Sequence, residues 1–302
     1  MATVGQAVSA GGTRAGMGMI AGAALIWGTI GVAVSLLYRL APADPLGVGF
    51  LRLLISAPTL LIMGWVIVGS GFLRVRRGDL GTMALMGVAF ATYQVCYFAA
   101  IPRLGVAAAV MINICSVPIL TALLSRVFLG ERLSRIALLA MGGAVLGTAM
   151  LVGGAPESRD LANTLTGATL ALGAGLSYSI VTMTSRAVAP YYHPLQPIAF
   201  AFSLGALLLA PMALTSGLHL AYPAAGWGLL LYLGLVPTAA AYVLYLRGMS
   251  STPATVAATL TLLEPLGSTL LAVLFLGEHL APLALLGAGL LLASMGMLYR
   301  GR

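Results

Sequence analysis

Glu264 is the one acidic residue of the chain that falls inside an apolar run. The other six, Asp44, Asp79, Glu131, Glu157, Asp160 and Glu278, lie in polar breaks or at the ends of runs. A carboxylate surrounded by apolar residues is costly to bury ionised and marks a functional position by default. Pro265 follows it, removing a backbone donor and freeing a carbonyl one turn back. Broken helix beside an ionisable group is the local exception that lines a cavity. Two kinds of chemistry suit Glu264, carrying a proton or pairing with a ligand's ammonium group. A neutral, hydrogen-bonded acid that locks helices together is the structural alternative.

Arg52 is the sole base inside an apolar run. It has the geometry to bind a carboxylate bidentately or to pair with Glu264. Snorkelling to the interface or pairing with Asp44 is the simpler reading, and Arg52 is taken as structural. Asn113 lies five residues before Pro118, and Gln94 lies between Tyr93 and Tyr97. Tyr93 and Tyr97 are four apart and share a helix face. A tyrosine face with amides suits a pocket for a zwitterion, although interfacial packing explains most membrane tyrosines. Trp27 and Tyr178 sit mid-run, away from the interfaces where aromatic belts form, which favours a cavity wall. Tyr242 joins them, and Tyr245 lies closer to the end of its run. The expected substrate-binding set is therefore Trp27, Tyr93, Gln94, Tyr97, Asn113, Tyr178, Tyr242 and Glu264.

No catalytic residue, metal ligand or cofactor is expected. Cys96 and Cys115 lie in apolar runs and read as small hydrophobes. His193, His219 and His279 are scattered among polar breaks. The two Leu-Gly-Glu turns, ending at Glu131 and Glu278, read as caps. Each glycine follows a helix, and each glutamate sits near the start of the next, where the dipole favours an anion.

The elements that carry these residues must be membrane helices. Of 302 residues, 60% are hydrophobic and only 7% charged, with a mean hydropathy of +1.05. A soluble domain carries roughly 25% charged residues. The net charge is +8, yet every basic residue is arginine and they fall between apolar runs. That is a topology signal rather than a nucleic-acid footprint. Hydropathy divides the chain into runs at 17–38, 45–69, 80–101, 106–128 and 133–153, then 165–188, 195–216, 225–246, 253–276 and 281–299. Each is near the roughly 20 apolar residues needed to span a bilayer. With the N-terminus cytoplasmic, eleven arginines fall on the cytoplasmic side and three opposite. The positive-inside rule then places both termini in the cytoplasm and requires an even number of passes.

An internal repeat completes the architecture. Val117-Pro118-Ile119 matches Glu264-Pro265-Leu266, and Phe128-Leu129-Gly130-Glu131 matches Phe275-Leu276-Gly277-Glu278, both at an offset of 147. Gly142 matches Gly289 at that offset, while Ile26-Trp27-Gly28 resembles Ser177-Tyr178-Ser179 at 151. Five is odd, so the second copy enters the membrane from the opposite side. The expected fold is an all-α membrane protein of ten transmembrane helices in two inverted five-helix repeats. Its parts are a cytoplasmic tail at 1–16, a first repeat at 17–153, a linker at 154–164 and a second repeat at 165–299. Inverted repeats are the architecture of secondary transporters, with the site near the bilayer midplane.

The Trp27-Gly28 pair, the mid-helix prolines Pro118 and Pro265, and the two Leu-Gly-Glu turns together resemble the drug/metabolite transporter superfamily. The EamA-type exporters are the nearest match, and within them the aromatic amino-acid exporters of the YddG kind. The resemblance runs from about Gly16 to Tyr299 and implies a central cavity that opens alternately to either side. It also implies a structural role for an arginine at position 52. The function expected is export of amino acids or related metabolites across a bacterial-type inner membrane by alternating access. A facilitator without proton coupling is the alternative. An intramembrane lipid-modifying enzyme would need clustered His, Asp, Glu or Cys at membrane depth, and the sequence shows no such cluster. Expected partners are a small-molecule substrate and the lipid bilayer, with no nucleic acid, and the chain is expected to be a monomer.

Overall fold

The computed structural model describes residues 10–129, 135–153, 160–249, 251–252, 260–261 and 263–300. They form α1 (Ala10–Leu40), α2 (Pro45–Val68), α3 (Leu80–Leu104), α4 (Val106–Leu129), α5 (Arg135–Gly153), α6 (Leu161–Val188) and α7 (Leu195–Thr215). Then come α8 (Ala224–Leu235), a π turn (Val236–Ala240), α9 (Ala241–Met249), α10 (Leu263–Leu276) and α11 (Pro282–Arg300). Among the described residues there is no strand. Helix is the form that satisfies every backbone group internally, as a lipid environment demands.

Among the described residues seven runs are long and apolar enough to cross a bilayer: Arg14–Leu40, Pro45–Val68, Arg77–Leu104, Val106–Phe128, Leu161–Ser185, Leu195–Thr215 and Ala224–Met249. Shorter apolar helices cover Leu138–Leu151, Leu263–Leu276 and Pro282–Met297. Two helices begin well ahead of their expected runs. Helix α1 starts at Ala10, inside the expected tail, and α6 starts at Leu161, inside the expected linker. The second shift has a visible cause, since Asp160 Oδ2 accepts from the Asn163 amide at 3.1 Å and caps the helix. Asp44 Oδ1 does the same for α2, accepting from Gly47 N at 2.8 Å, with Pro45 pre-set as the first helical residue. The third run extends to Leu104, where Gly105 (φ +85°) turns the chain directly into α4.

The interior is largely apolar, and the outward faces are apolar as well. Large apolar residues face outward, among them Ile62, Val66, Phe128, Leu207, Leu214, Phe275 and Leu286. Buried polar residues gather inside, including Arg52, Ser56, Gln94, Asn113, Ser179, Thr238 and Ser268. Helix α3 packs on α6 and α7, and α8 with α9 packs on α1 and α2. Helix α4 packs on α6, α10 packs on α1, α2 faces α7, and α5 faces α11.

The α5–α11 crossing is a backbone contact. A methyl group on Gly147 would sit 2.8 Å from the Gly287 carbonyl oxygen, and one on Gly287 would sit 2.6 Å from that of Gly147. Gly142 and Gly289, close by on the same helices, have nothing within 4 Å of that position. Gly147→Ala is therefore expected to cost about 1–3 kcal/mol by overpacking, read as a lowered melting temperature in detergent. Gly142→Ala is expected to leave it unchanged; equal effects would contradict the crossing.

Candidate functional site

A cavity of about 400 Å³ lies in the middle of the bundle. Six of the eight expected site residues line it: Trp27, Tyr93, Gln94, Tyr178, Tyr242 and Glu264. Arg52, Phe90, Phe202, Pro118, Pro237 and Tyr245 are also on its wall. Tyr97 and Asn113 lie one layer behind. Tyr97 stacks on Tyr93 with centroids 5.8 Å apart and planes at 19°, which puts it at the back of the tyrosine face. Asn113 is fully enclosed in α4; its amide comes close to the Tyr93 hydroxyl without a hydrogen bond of ordinary geometry.

The aromatic part of the wall is assembled from three directions. Tyr93 on α3 meets Tyr178 on α6 at 5.4 Å, and Phe90 meets Phe202 on α7 at 4.7 Å. Trp27 on α1 meets Tyr242 and Tyr245 on α9 at 5.5 and 5.3 Å. The Trp27 indole is fixed by its Nε1, which donates to the Pro237 carbonyl at 2.8 Å. That carbonyl lies in the π turn. Pro237 has no amide hydrogen for the Leu233 carbonyl one turn back, and the Thr238 hydroxyl donates to that carbonyl instead at 3.3 Å. The signal for this break in the sequence is the proline inside the apolar run 225–246.

Glu264 stands in the first turn of α10, its amide bonded to the Thr261 carbonyl at 3.0 Å. Gly28 lets α1 run against this turn, since a methyl group there would lie 2.9 Å from the Glu264 carbonyl oxygen. At the corresponding place on α6, the Ser179 hydroxyl donates to the Val117 carbonyl at 3.1 Å. Thus the two loosely matched triplets, around Trp27 and Tyr178, rest on the two matched proline turns.

Arg52 neither snorkels to the interface nor pairs with Asp44. The residue is 6% exposed, lines the cavity, and donates from Nη1 to Gln94 Oε1 at 2.9 Å. It also lies 5.8 Å from the Phe98 ring centroid. Asp44 is occupied in capping α2. Among the described residues no ion pair joins Arg52 to Glu264. The position of Arg52 is held by Ser56, whose hydroxyl donates to the Arg52 carbonyl at 2.7 Å and also reaches the Gly234 carbonyl.

Towards the Arg39 end, the cavity stops where α1 presses on α3 and α4. A methyl group on Gly31 would lie 2.6 Å from Val106 Cγ1 and 3.0 Å from the Tyr97 hydroxyl. Beyond this layer is a second cavity of about 500 Å³, lined by Tyr38, Arg39, Glu278 and His279 among others. Here the expected cap role of Glu278 needs correction. Its carboxylate accepts from Val106 N at 2.6 Å and Ala107 N at 3.0 Å, the first amides of α4, rather than from its own following helix. The reason is the turn at Gly277 (φ +68°), which sends the chain away from α10 and across to α4. Arg39 Nη2 adds a bond to the Leu276 carbonyl at 3.2 Å. Glu131, the repeat mate of Glu278, lies outside the described residues. Tyr222, in the loop before α8, has its phenol pushed up by burial and further by the nearby Asp44 carboxylate. Among the described residues no three His, Cys, Asp or Glu side chains are grouped to hold a metal.

Comparison with known proteins bears on the family and the fold. The model of the EamA-like transporter family matches twice, at residues 14–153 and 165–300. An uncharacterised transporter of Bacillus subtilis strain 168, YwfM, is 34% identical over 275 residues, covering 90% of each chain. A probable terminal-alkyne amino-acid exporter of Streptantibioticus cattleyicolor is 27% identical over 84% of each chain. A solved crystal structure shares the fold with a TM-score of 0.63, covering 95% of this chain and 97% of its own, at 19% identity.

Proposed function

The chain belongs to the EamA-like transporter family, and from that premise we propose that it exports amino acids by alternating access across a bacterial inner membrane. The observation that carries the reading is the central cavity. It has the size of a small-molecule site, and its wall combines aromatic faces with Arg52, Gln94 and Glu264. Among the described residues Glu264 is the one carboxylate on that wall. It offers a counter-charge to a substrate ammonium group and a site for a coupling proton. The named amino-acid exporter among the relatives supports the same substrate class.

The architecture proposed with it is ten crossings in two inverted halves, with both termini cytoplasmic. The double family match supports the halves. So does the packing, in which α4 on α6 is paired by α10 on α1, and Ser179 on Val117 by Gly28 on Glu264. In this orientation the cavity wall continues toward the cytoplasmic ends through Thr121, Thr182 and Tyr245. Towards the periplasm the cavity ends at the layer of Gly31, Val106 and Tyr97, and beyond it Glu278 and Arg39 tie the end of α10 to α4 and α1. The shape is therefore inward-facing, and transport requires that seal to break while the cytoplasmic side closes.

Counterflow in proteoliposomes, screened across the natural amino acids, tests this function. Saturable exchange of one or a few of them is expected. Exchange of none would overturn the amino-acid reading.

A further inference from the structure

The buried polar atoms that Arg52 and Gln94 themselves leave without a partner are both donors. Arg52 spends Nη1 on Gln94 Oε1, and its Nε is buried without a partner. Gln94, 1% exposed, turns its one acceptor to Arg52, leaving its buried Nε2 without a partner as well. A guanidinium presents five N–H donors in a fixed fork, and an amide nitrogen presents two. Buried donors left unmet are costly, so a site that keeps them is built for an acceptor that arrives from elsewhere. A carboxylate, planar and acceptor-only, is the group that matches a guanidinium fork.

Glu264 is the opposite kind of group on the same cavity wall, acceptor-only when ionised. It lies within coulombic range of Arg52 yet does not form an ion pair with it. The two groups are thus beyond ion-pair distance, on α2 and α10, and both line the cavity. The arrangement would be self-cancelling if the chain needed only internal neutrality, since direct pairing would serve that better.

We infer that Arg52 and Gln94 form a preassembled carboxylate seat, opposite Glu264, so that the ligand is a free zwitterionic amino acid with both its carboxylate and its ammonium group intact. This rests on the amino-acid reading above and narrows it: amides, esters and decarboxylated amines are discriminated against by the seat. The rigidity of the seat comes from its neighbours. Gly49 brings α2 against α3, where a methyl group would lie 3.3 Å from the Gln94 Cβ, and Ser56 anchors the next turn of α2. Side-chain selection is left to the aromatic wall of Trp27, Tyr178 and Tyr242, which touches neither seat atom in any hydrogen bond described.

The experiment uses the full-length protein in proteoliposomes, with labelled phenylalanine and labelled threonine as probes. Each is chased by the unlabelled acid, by its carboxamide, and by its decarboxylated amine. The acid is expected to compete at least about tenfold better than either analogue, as the loss of a charge-assisted hydrogen bond implies. Equal competition by the amide or the amine would overturn the seat while leaving amino-acid transport standing. If neither probe exchanges, the amino acid that does so in the screen above takes their place with its own amide and amine; if none does, the reading beneath the proposal falls and the proposal falls with it. Gln94→Leu and Arg52→Lys then separate a binding role from a packing role. In variants that retain a folded melting transition, the acid-over-amine preference is expected to drop at least about tenfold. An unchanged preference, whatever the change in melting temperature, would mean that the pair merely locks α2 to α3.

Discussion

Glu264→Gln is expected to lower amino-acid exchange by at least about tenfold and to flatten its dependence on pH. The substitution keeps the shape of the side chain and one acceptor oxygen but removes both the charge and the proton site. In the unmodified protein, a carboxylate that must be ionised to hold an ammonium group loses that ability when protonated. Proton and substrate therefore compete, and exchange should fall as the pH on the cavity side is lowered. With glutamine in place no titrating group remains at that position, so a low, level profile is expected. The pocket around it should survive, because the tight contact of this turn is made by its backbone, where Gly28 approaches the Glu264 carbonyl oxygen. Two measurements divide the roles. Counterflow needs only ligand binding and conformational exchange, whereas accumulation driven by a pH gradient also needs the proton. Unchanged counterflow together with an unchanged pH profile would remove Glu264 from the mechanism.

The second large effect is expected at the opposite end of the bundle. Glu278 bridges a loop next to α10 and the first two amides of α4 with charge-assisted hydrogen bonds. A helix N-terminus has no backbone acceptors of its own for these amides, and its dipole strengthens their attraction for an anion. Removing the carboxylate in Glu278→Ala should cost the sealed state about 1.5–3 kcal/mol. That corresponds to roughly ten- to a hundredfold more of the open form. The shift can be read with Ile30→Cys, which places a thiol on the central cavity wall. Labelling by an impermeant maleimide added from the side opposite the termini should accelerate by a similar factor when Glu278 is removed. No acceleration would show that the layer at Gly31, Val106 and Tyr97 seals that end unaided. Glu278→Gln keeps one acceptor and should fall between the two.

The helices were legible because a run of apolar residues long enough to span lipid has few other solutions. Their ends were legible where a charged side chain or a glycine had a local task, as at Asp44 and Gly277. Trp27, Tyr178 and Glu264 stood out for a related reason: a mid-run aromatic or acid is expensive or unusual there, so its presence carries information. Whether Arg52 points outward or inward was not legible, because an arginine near the start of a helix is equally compatible with snorkelling and with turning into the bundle. Its hydrogen bond to Gln94 joins residues 42 positions apart, which no pattern along either helix announces. Tyr97 and Asn113 had suitable chemistry and suitable depth, yet a second layer of a wall has the same periodicity as the first. The break at Pro237 was visible as a residue and invisible as a consequence, since its carbonyl matters only through the indole of Trp27 on another helix.

By itself, then, the sequence determined a helical membrane chain, an internal duplication and a short roster of costly residues, because hydropathy and charge burial act through composition and local spacing. Which residues meet was decided by tertiary structure alone. Gly142 and Gly147 sit on one helix and look alike in the chain, but only Gly147 is at a crossing. Glu278 could cap its own next helix or another one, and the turn at Gly277 chose α4. Contacts of this kind depend on the angle and register at which two helices cross, and those are set by the whole bundle.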